Sequence, residues 1–147
     1  MNKALTDLLE QQRYFDALLQ LGPLLEEMRA MTPPSAEEPE HLAAILRCLY
    51  ALDMGMVADA YAIRYVTLLH QCGQTEQALI ALTEAFKHHP EGVALFLCAG
   101  ELMQQLSRLN DAIRCFDQVL ALDPWHAVAL AQRAHVNRLQ QQLASTQ

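Results

Sequence analysis

Residues 78–90 read ALIALTEAFKHHP, and residues 112–124 read AIRCFDQVLALDP. The two segments share one pattern: a small residue, two apolar residues at helical spacing, and a final proline. Upstream of each segment, a second set of residues recurs at the same distance: Tyr65, Val66 and Leu69, then Ala99, Gly100 and Met103. The two copies lie 34 residues apart, as Ala78 and Ala112 show. This repeat period is typical of an array of helical hairpins in which each unit buries its apolar face against its neighbours.

The composition favours an all-α fold. The chain has 147 residues, of which 52% are hydrophobic and only 6% are aromatic, and it contains 5 glycines. Leucine and alanine dominate, and no stretch keeps the strict alternation of polar and apolar residues that strands need. We therefore expect antiparallel helix hairpins that stack as an α-solenoid, with a C-terminal helix that caps the array.

The helical patterns divide the chain into four segments. Residues 1–31 are expected to form an N-terminal helical arm, interrupted near residues 11–13 and ended or kinked at Gly22-Pro23. Residues 32–39 contain three prolines and predict an exposed connector. The repeats are expected over residues 40–141, with the best copies at 59–92 and 93–126 and the cap helix at 127–141, before a frayed tail at 142–147. A first helix in register with these copies would fall on 25–38, so the first repeat is expected to be remodelled.

Residue types predict where helices begin and end and where two helices approach closely. Thr75 and either Asn110 or Asp111 are expected to cap helices, and Asp53-Met54-Gly55 is expected to stop one. Small residues are expected where helices approach closely: Ala78, Ala85, Gly100, Ala112 and Ala134. A shift of one repeat period toward the N-terminus predicts that Ala44, Cys48, Ala51 and Leu52 pack in the same way.

These residues resemble the tetratricopeptide repeat (TPR). The copy that ends at Pro124 has the family's small and aromatic residues at Phe96, Gly100, Ala112 and Phe116. The sequence departs from the family pattern in three places: Ala62 replaces tryptophan, Val66 replaces glycine, and Met103 replaces tyrosine. The resemblance implies a stack of helical hairpins that binds a protein segment.

In this family the first helix of each hairpin lines a concave groove. The resemblance implies the following partner-binding residues: Ala60, Ile63, Thr67, His70, Gln71, Ala94, Leu97, Glu101, Gln104, Gln105, Val128, Ala131, His135 and Arg138. This set lacks the lysines and asparagines with which some repeats of the family grip a C-terminal carboxylate. An amphipathic or extended segment held by apolar contacts therefore fits the groove better.

Several residues that often carry chemistry have simpler structural explanations here. His88-His89 is expected to interact with helix carbonyls, because no spacing of cysteines and histidines suggests a metal site. Cys98 and Cys115 are expected to pack as small hydrophobic residues, and the four cysteines are expected to be reduced. Trp125 is expected to pack over the preceding repeat, or alternatively to anchor a partner.

No catalytic motif or cofactor-binding motif appears in the sequence, so we expect a protein that is not an enzyme. The net charge of −7 argues against a nucleic-acid partner. The charge is concentrated in residues 1–40, which carry a net −5 and are suited either to solvation or to steering a basic partner. No apolar run is long enough to span a membrane, and the first residues lack a signal-peptide core, which predicts a cytoplasmic protein.

The size, acidity and repeat architecture are similar to those of the small TPR chaperones of bacterial type III secretion. That similarity implies an adaptor or chaperone that keeps a secretion client soluble. The alternative is a structural or assembly subunit of a larger complex. In either case, the N-terminal arm is expected to pack across the groove or to mediate self-association as a homodimer.

Overall fold

The computed structural model describes residues 1–146 and confirms the all-α prediction. Within these residues the chain forms eight helices and no strand. The helices are α1 (Lys3–Glu10), α2 (Tyr14–Arg29), α3 (Glu38–Ala51), α4 (Gly55–Gln71), α5 (Thr75–His88), α6 (Val93–Gln105), α7 (Leu109–Leu122) and α8 (Ala127–Ser145).

The chain separates into two compact units, Met1–Pro90 and Glu91–Gln147. In the first unit each helix packs against the next one along the chain, from α1 to α5. In the second unit α6 packs on α7, and α7 packs on α8. Each unit therefore buries its apolar side chains between helices that are neighbours in sequence.

Small residues lie at most of the close contacts where they were expected. Ala78 and Ala112 are fully buried, and Ala85 is almost so. Gly100 lies against the ring of Phe116, which leaves no room for a side chain between α6 and α7. These residues let the helices of each hairpin approach closely, as the sequence pattern predicts.

Several of the expected core positions are instead exposed. Ala44 and Cys48 are buried, but Ala51 and Leu52 are exposed because α3 ends at this point. Ala134 lies one repeat period after Gly100, yet it is exposed because no later helix in the described chain covers it. In α8 the buried residues are Ala129 and Val136.

The same type of tight turn occurs four times, each time between two consecutive helices. In each case a residue in the left-handed conformation follows the helix: Gln12, Asp53, Gly73 and Ser107, with φ between 57° and 80°. The next amide donates to a carbonyl five residues back, as in Gln74 to Leu69 at 2.8 Å and Arg108 to Met103 at 2.8 Å. This is the Schellman arrangement, which satisfies the last carbonyls of a helix.

The four Schellman turns explain why the predicted caps are wrong. The residue before α5 is Gln74 and the residue before α7 is Arg108, and neither side chain makes a capping hydrogen bond. Thr75 already lies inside α5, where its hydroxyl pairs with His70 Nδ1 at 2.9 Å. Asn110 and Asp111 lie inside α7, because the turn starts each helix before these residues.

The helix stop predicted at Asp53-Met54-Gly55 is confirmed, because α3 ends at Ala51, but the stop does not come from Gly55. Gly55 is the first residue of α4, and a Cβ atom there would lie 2.6 Å from the backbone oxygen of His88. The glycine is therefore required for close approach between α4 and α5, whereas Asp53 provides the left-handed turn.

Proline changes the helix boundaries less than the sequence suggests. α2 continues through Pro23 to Arg29, so Gly22-Pro23 does not end the helix, and the other predicted effect, a kink, stays a prediction. Gly22 has no Cβ to clash with the proline ring, which relieves the usual restriction on the residue before proline. Pro39 lies in the first turn of α3, where its missing amide proton costs nothing.

The last helix is longer than predicted, because α8 extends past residue 141 to Ser145. Gln147, in the predicted tail, lies outside the described residues.

Candidate functional site

A groove of about 500 Å³ lies within the first unit, between α2, the start of α3, and α4. Its lining is mostly apolar and includes four charged side chains. The lining residues are Leu25, Glu26, Arg29, Glu38, Leu42, Val57, Ala60, Tyr61, Ile63, Arg64 and Thr67.

The helical period of α4 directs its side chains into this groove. Ala58, Ala62 and Val66 are buried on one face of the helix, at intervals of four residues. Residues between them, such as Ala60 and Ile63, therefore lie on another face, which borders the groove. The amphipathic pattern of α4 thus determines which of its residues pack in the core and which of them line the groove.

Glu38 and Arg64 form an ion pair in the groove wall. Arg64 Nε donates to Glu38 Oε1 at 2.9 Å, and Arg64 Nη2 donates to Oε2 at 3.1 Å. The Glu38 side chain is only 1% exposed, whereas that of Arg64 is 31% exposed. Hydrogen bonding to Glu38 raises the pKa of Arg64 further above its already high ordinary value.

The structure places only part of the predicted binding set in this groove. Ala60, Ile63 and Thr67 line it, but His70 and Gln71 at the end of α4 do not. In the second unit the remaining predicted residues are exposed or partly exposed: Ala94, Leu97, Glu101, Gln104, Gln105, Val128, Ala131, His135 and Arg138.

The sequence analysis gave packing of the N-terminal arm across the groove as one alternative, but it named no groove residue in α2. The buried residues of this helix have the same spacing as buried residues of α4: Ala17, Leu21, Leu25 and Met28 match Ala58, Ala62, Val66 and Leu69. The offset between the two sets exceeds the repeat period by seven residues, or two helical turns, which the proline-containing connection before α3 supplies. The same offset relates Thr67 to Glu26 and His70 to Arg29, and both of these α2 residues line the groove.

His88 and His89 pair with carboxylates, contrary to the prediction that they interact with helix carbonyls. His89 Nδ1 lies 2.6 Å from Asp59 Oδ2, and His88 Nε2 lies 3.2 Å from Glu84 Oε1. The His88 ring also stacks on Tyr50 with centroids 4.1 Å apart. These contacts tie the end of α5 to α3 and α4.

Tyr50 is the buried polar group in this cluster. Within the described residues its hydroxyl has no hydrogen-bond partner. Burial, together with the negative charges of Asp59 and Glu84, raises the pKa of Tyr50 to about 12. The phenol is therefore neutral at physiological pH, and its ring serves as a packing surface for His88.

Trp125 does not pack over the preceding helices as expected, because it is 86% exposed. Phe15 and Leu19, one turn apart on α2, are also exposed, by 65% and 64%. Isolated exposed apolar residues are normal, but large aromatic ones are frequent anchors at protein interfaces.

The four cysteines are free thiols in different surroundings. Cys48 is buried, Cys72 is exposed, and Cys98 and Cys115 are partly buried. Over residues 1–146, no three His, Cys, Asp or Glu side chains are close enough to hold a metal ion. No helix in that part of the chain combines the length and apolar character needed to cross a membrane.

Comparison with known families and proteins gives no assignment: no family model matches the chain, and neither does any curated protein.

Proposed function

We propose that this chain is a TPR-like module, without enzymatic activity, that binds a segment of a partner protein in the groove between α2 and α4. The observation that carries the proposal is the position of Ala60, Ile63 and Thr67. The resemblance to the TPR family selected these residues as groove residues, and they line the groove in the first unit. A mostly apolar groove with a few polar groups is the form of site that accepts an amphipathic segment.

Two further observations support a repeat of the TPR kind. The turns at Gly73 and Ser107 have the same left-handed geometry and lie one repeat period apart. The hairpins α4–α5 and α6–α7 bury small residues at matching positions, such as Ala78 and Ala112. On this basis we propose that the module acts as an adaptor or chaperone, in the manner of the type III secretion chaperones to which its size and charge are similar.

The test is affinity capture from the native host with three forms of the full chain: the wild type, Ile63→Glu and Ile80→Glu. Ile63 lines the groove, whereas Ile80 is an exposed isoleucine on α5 that does not. We expect the wild type and Ile80→Glu to retain the same partner and Ile63→Glu to lose it. Equal retention by all three forms would exclude this groove as the binding surface. Circular dichroism of each variant controls for folding.

The alternative, a permanent subunit of a larger complex, is favoured by the exposure of Trp125, Phe15 and Leu19. A permanent subunit leaves such residues uncovered when it is produced alone. We expect a chaperone to remain monodisperse by light scattering without its partner. Aggregation that co-expression of the captured partner prevents would favour the subunit.

A further inference from the structure

The charged groups of the groove differ in how accessible they are to an occupant. Glu38 is buried, and Arg64 takes up both of its oxygens. Glu38 therefore cannot form an ion pair with another molecule without first releasing Arg64. The remaining charged side chains in the lining are Glu26, Arg29 and Arg64.

Arg64 keeps part of its binding capacity. A guanidinium group has five N–H donors, and the two bonds to Glu38 use one on Nε and one on Nη2. The side chain is 31% exposed, and it lines the groove. Glu38 thus acts as a positioning residue, because it fixes the planar group while three donors stay unused by that ion pair.

Arg29 supplies a second cation. It is exposed and lines the groove from α2, and it forms no ion pair with any residue among 1–146. Glu26, three residues earlier on α2, is the exposed carboxylate of the lining. The four charges of the lining therefore sum to zero, but Arg29 and Arg64 keep free N–H donors, whereas Glu26 is the one accessible carboxylate. The whole chain carries a net charge of −7.

From these free arginine donors beside an apolar wall we propose that the occupant is a protein segment with an acidic side chain among its apolar residues. The acidic side chain pairs with Arg29 and Arg64, and the apolar residues cover Leu25, Val57 and Ile63. Arginine suits this contact because its planar donors match a carboxylate in two-point geometry. The proposal rests on the proposed function, since it names the chemistry of the segment that the same groove binds.

Negative charges outside the groove lining act on an occupant only over a short range. At physiological ionic strength, exposed charges separated by more than about 8 Å are largely screened. Contacts within the groove, where Glu26 and Glu38 also lie, therefore decide which side chain is accepted. The other acidic residues of 1–40 mainly slow the approach of an acidic segment.

The experiment uses a random library of 16-residue segments, displayed between two folded domains so that no free C-terminus is presented. The full-length wild type selects from this library, and Ile63→Glu selects in parallel. We expect the wild type to enrich segments that combine apolar residues with aspartate or glutamate, and Ile63→Glu not to enrich them. Enrichment of lysine and arginine, or of apolar residues alone, would overturn the acidic assignment but leave the groove as a binding site.

The charge assignment is then tested with one enriched segment. Arg29→Glu is expected to weaken its binding by about tenfold or more, as the loss of one charge-assisted hydrogen bond does. Lys87→Glu makes the same change in net charge on α5, away from the groove lining, and is expected to change the affinity less than twofold. Replacing the acidic residue of the segment by lysine is expected to restore binding to Arg29→Glu.

The remaining outcomes separate the two proposals. Equal weakening by Arg29→Glu and Lys87→Glu would overturn the acidic contact and leave the proposed function standing. Recovery of the same segments by the wild type and by Ile63→Glu, or of none by the wild type, would overturn both. Circular dichroism of each variant confirms that the helices are retained.

Discussion

Gly100 of α6 lies directly against the ring of Phe116 of α7. A Cβ atom at Gly100 would lie 2.6 Å from Cε1 and 2.6 Å from Cζ of that ring. Phe116 is fully buried, so it has no open space into which to move. The separation of the two helices is therefore set by the absence of a side chain at residue 100.

Gly100→Ala is expected to destabilise the chain because the added methyl group overpacks this contact. The expected loss is about 1–3 kcal/mol in the free energy of unfolding, measured by urea denaturation. A double-mutant cycle with Phe116→Leu provides the control, because the smaller side chain relieves the clash. The double variant should therefore lose less than the two single losses added together. Additive losses would show that the two residues do not interact in this way.

Arg64→Met is expected to cost about 3–5 kcal/mol because it leaves the buried carboxylate of Glu38 without its partner. Replacing both residues, as Glu38→Met with Arg64→Met, is expected to recover most of that loss because no unpaired charge remains. Denaturation midpoints of the two single variants and the double variant measure this coupling. A double variant as unstable as Arg64→Met would contradict the assignment of the cost to the buried charge.

Ser107→Gly is expected to stabilise the chain by about 1 kcal/mol, because Ser107 adopts a conformation that costs L-residues energy and that glycine adopts freely. Its φ is 59°. Gly73 occupies the same turn with a φ of 80°, so Gly73→Ala is expected to destabilise by a similar amount. Thermal melts of the two variants check that their changes in stability have opposite signs. A loss of stability in Ser107→Gly would contradict the importance of this backbone strain.

One thiol is expected to react quickly with an aromatic disulfide reagent at pH 8, and three are expected to react slowly. Cys72 is exposed. Burial raises the pKa of Cys98 to about 11, and it also raises the pKa of Cys48 and of Cys115. Since the thiolate is the reactive form, a raised pKa lowers the reactive fraction, to about one part in a thousand for Cys98 at pH 8.

Absorbance traces of thiol release measure these rates, and Cys72→Ser is the control. This variant should lose the fast phase and keep the slow one. Because the reactive fraction of Cys98 increases about tenfold per pH unit below its pKa, the slow phase should accelerate as the pH rises from 7 to 9. A fast phase that survives in Cys72→Ser would mean that a second thiol is accessible.

Residue patterns alone predict that the chain is helical and where most of its helices lie. Apolar residues at helical spacing, with Gly73, Pro90 and Pro124 as breaks, are local signals, and local signals fix local structure. The pattern also identified tightly packed positions such as Ala78, Gly100 and Ala112, because small residues at a fixed period mark close approach.

What lies opposite each helix face depends on how the whole chain packs. The pairing of Glu38 with Arg64 joins residues that are far apart in the sequence, and no local pattern predicts it. The repeat pattern did not predict that Glu26 and Arg29 line the groove, because seven extra residues shift α2 out of the repeat period. Trp125 and Ala134 are exposed because no other helix in the described part of the chain covers them. The spacing of apolar residues in the sequence does not show whether such a helix is present. Periodicity fixes the face on which a residue lies, and only packing in three dimensions decides whether that face meets another helix, a groove or water.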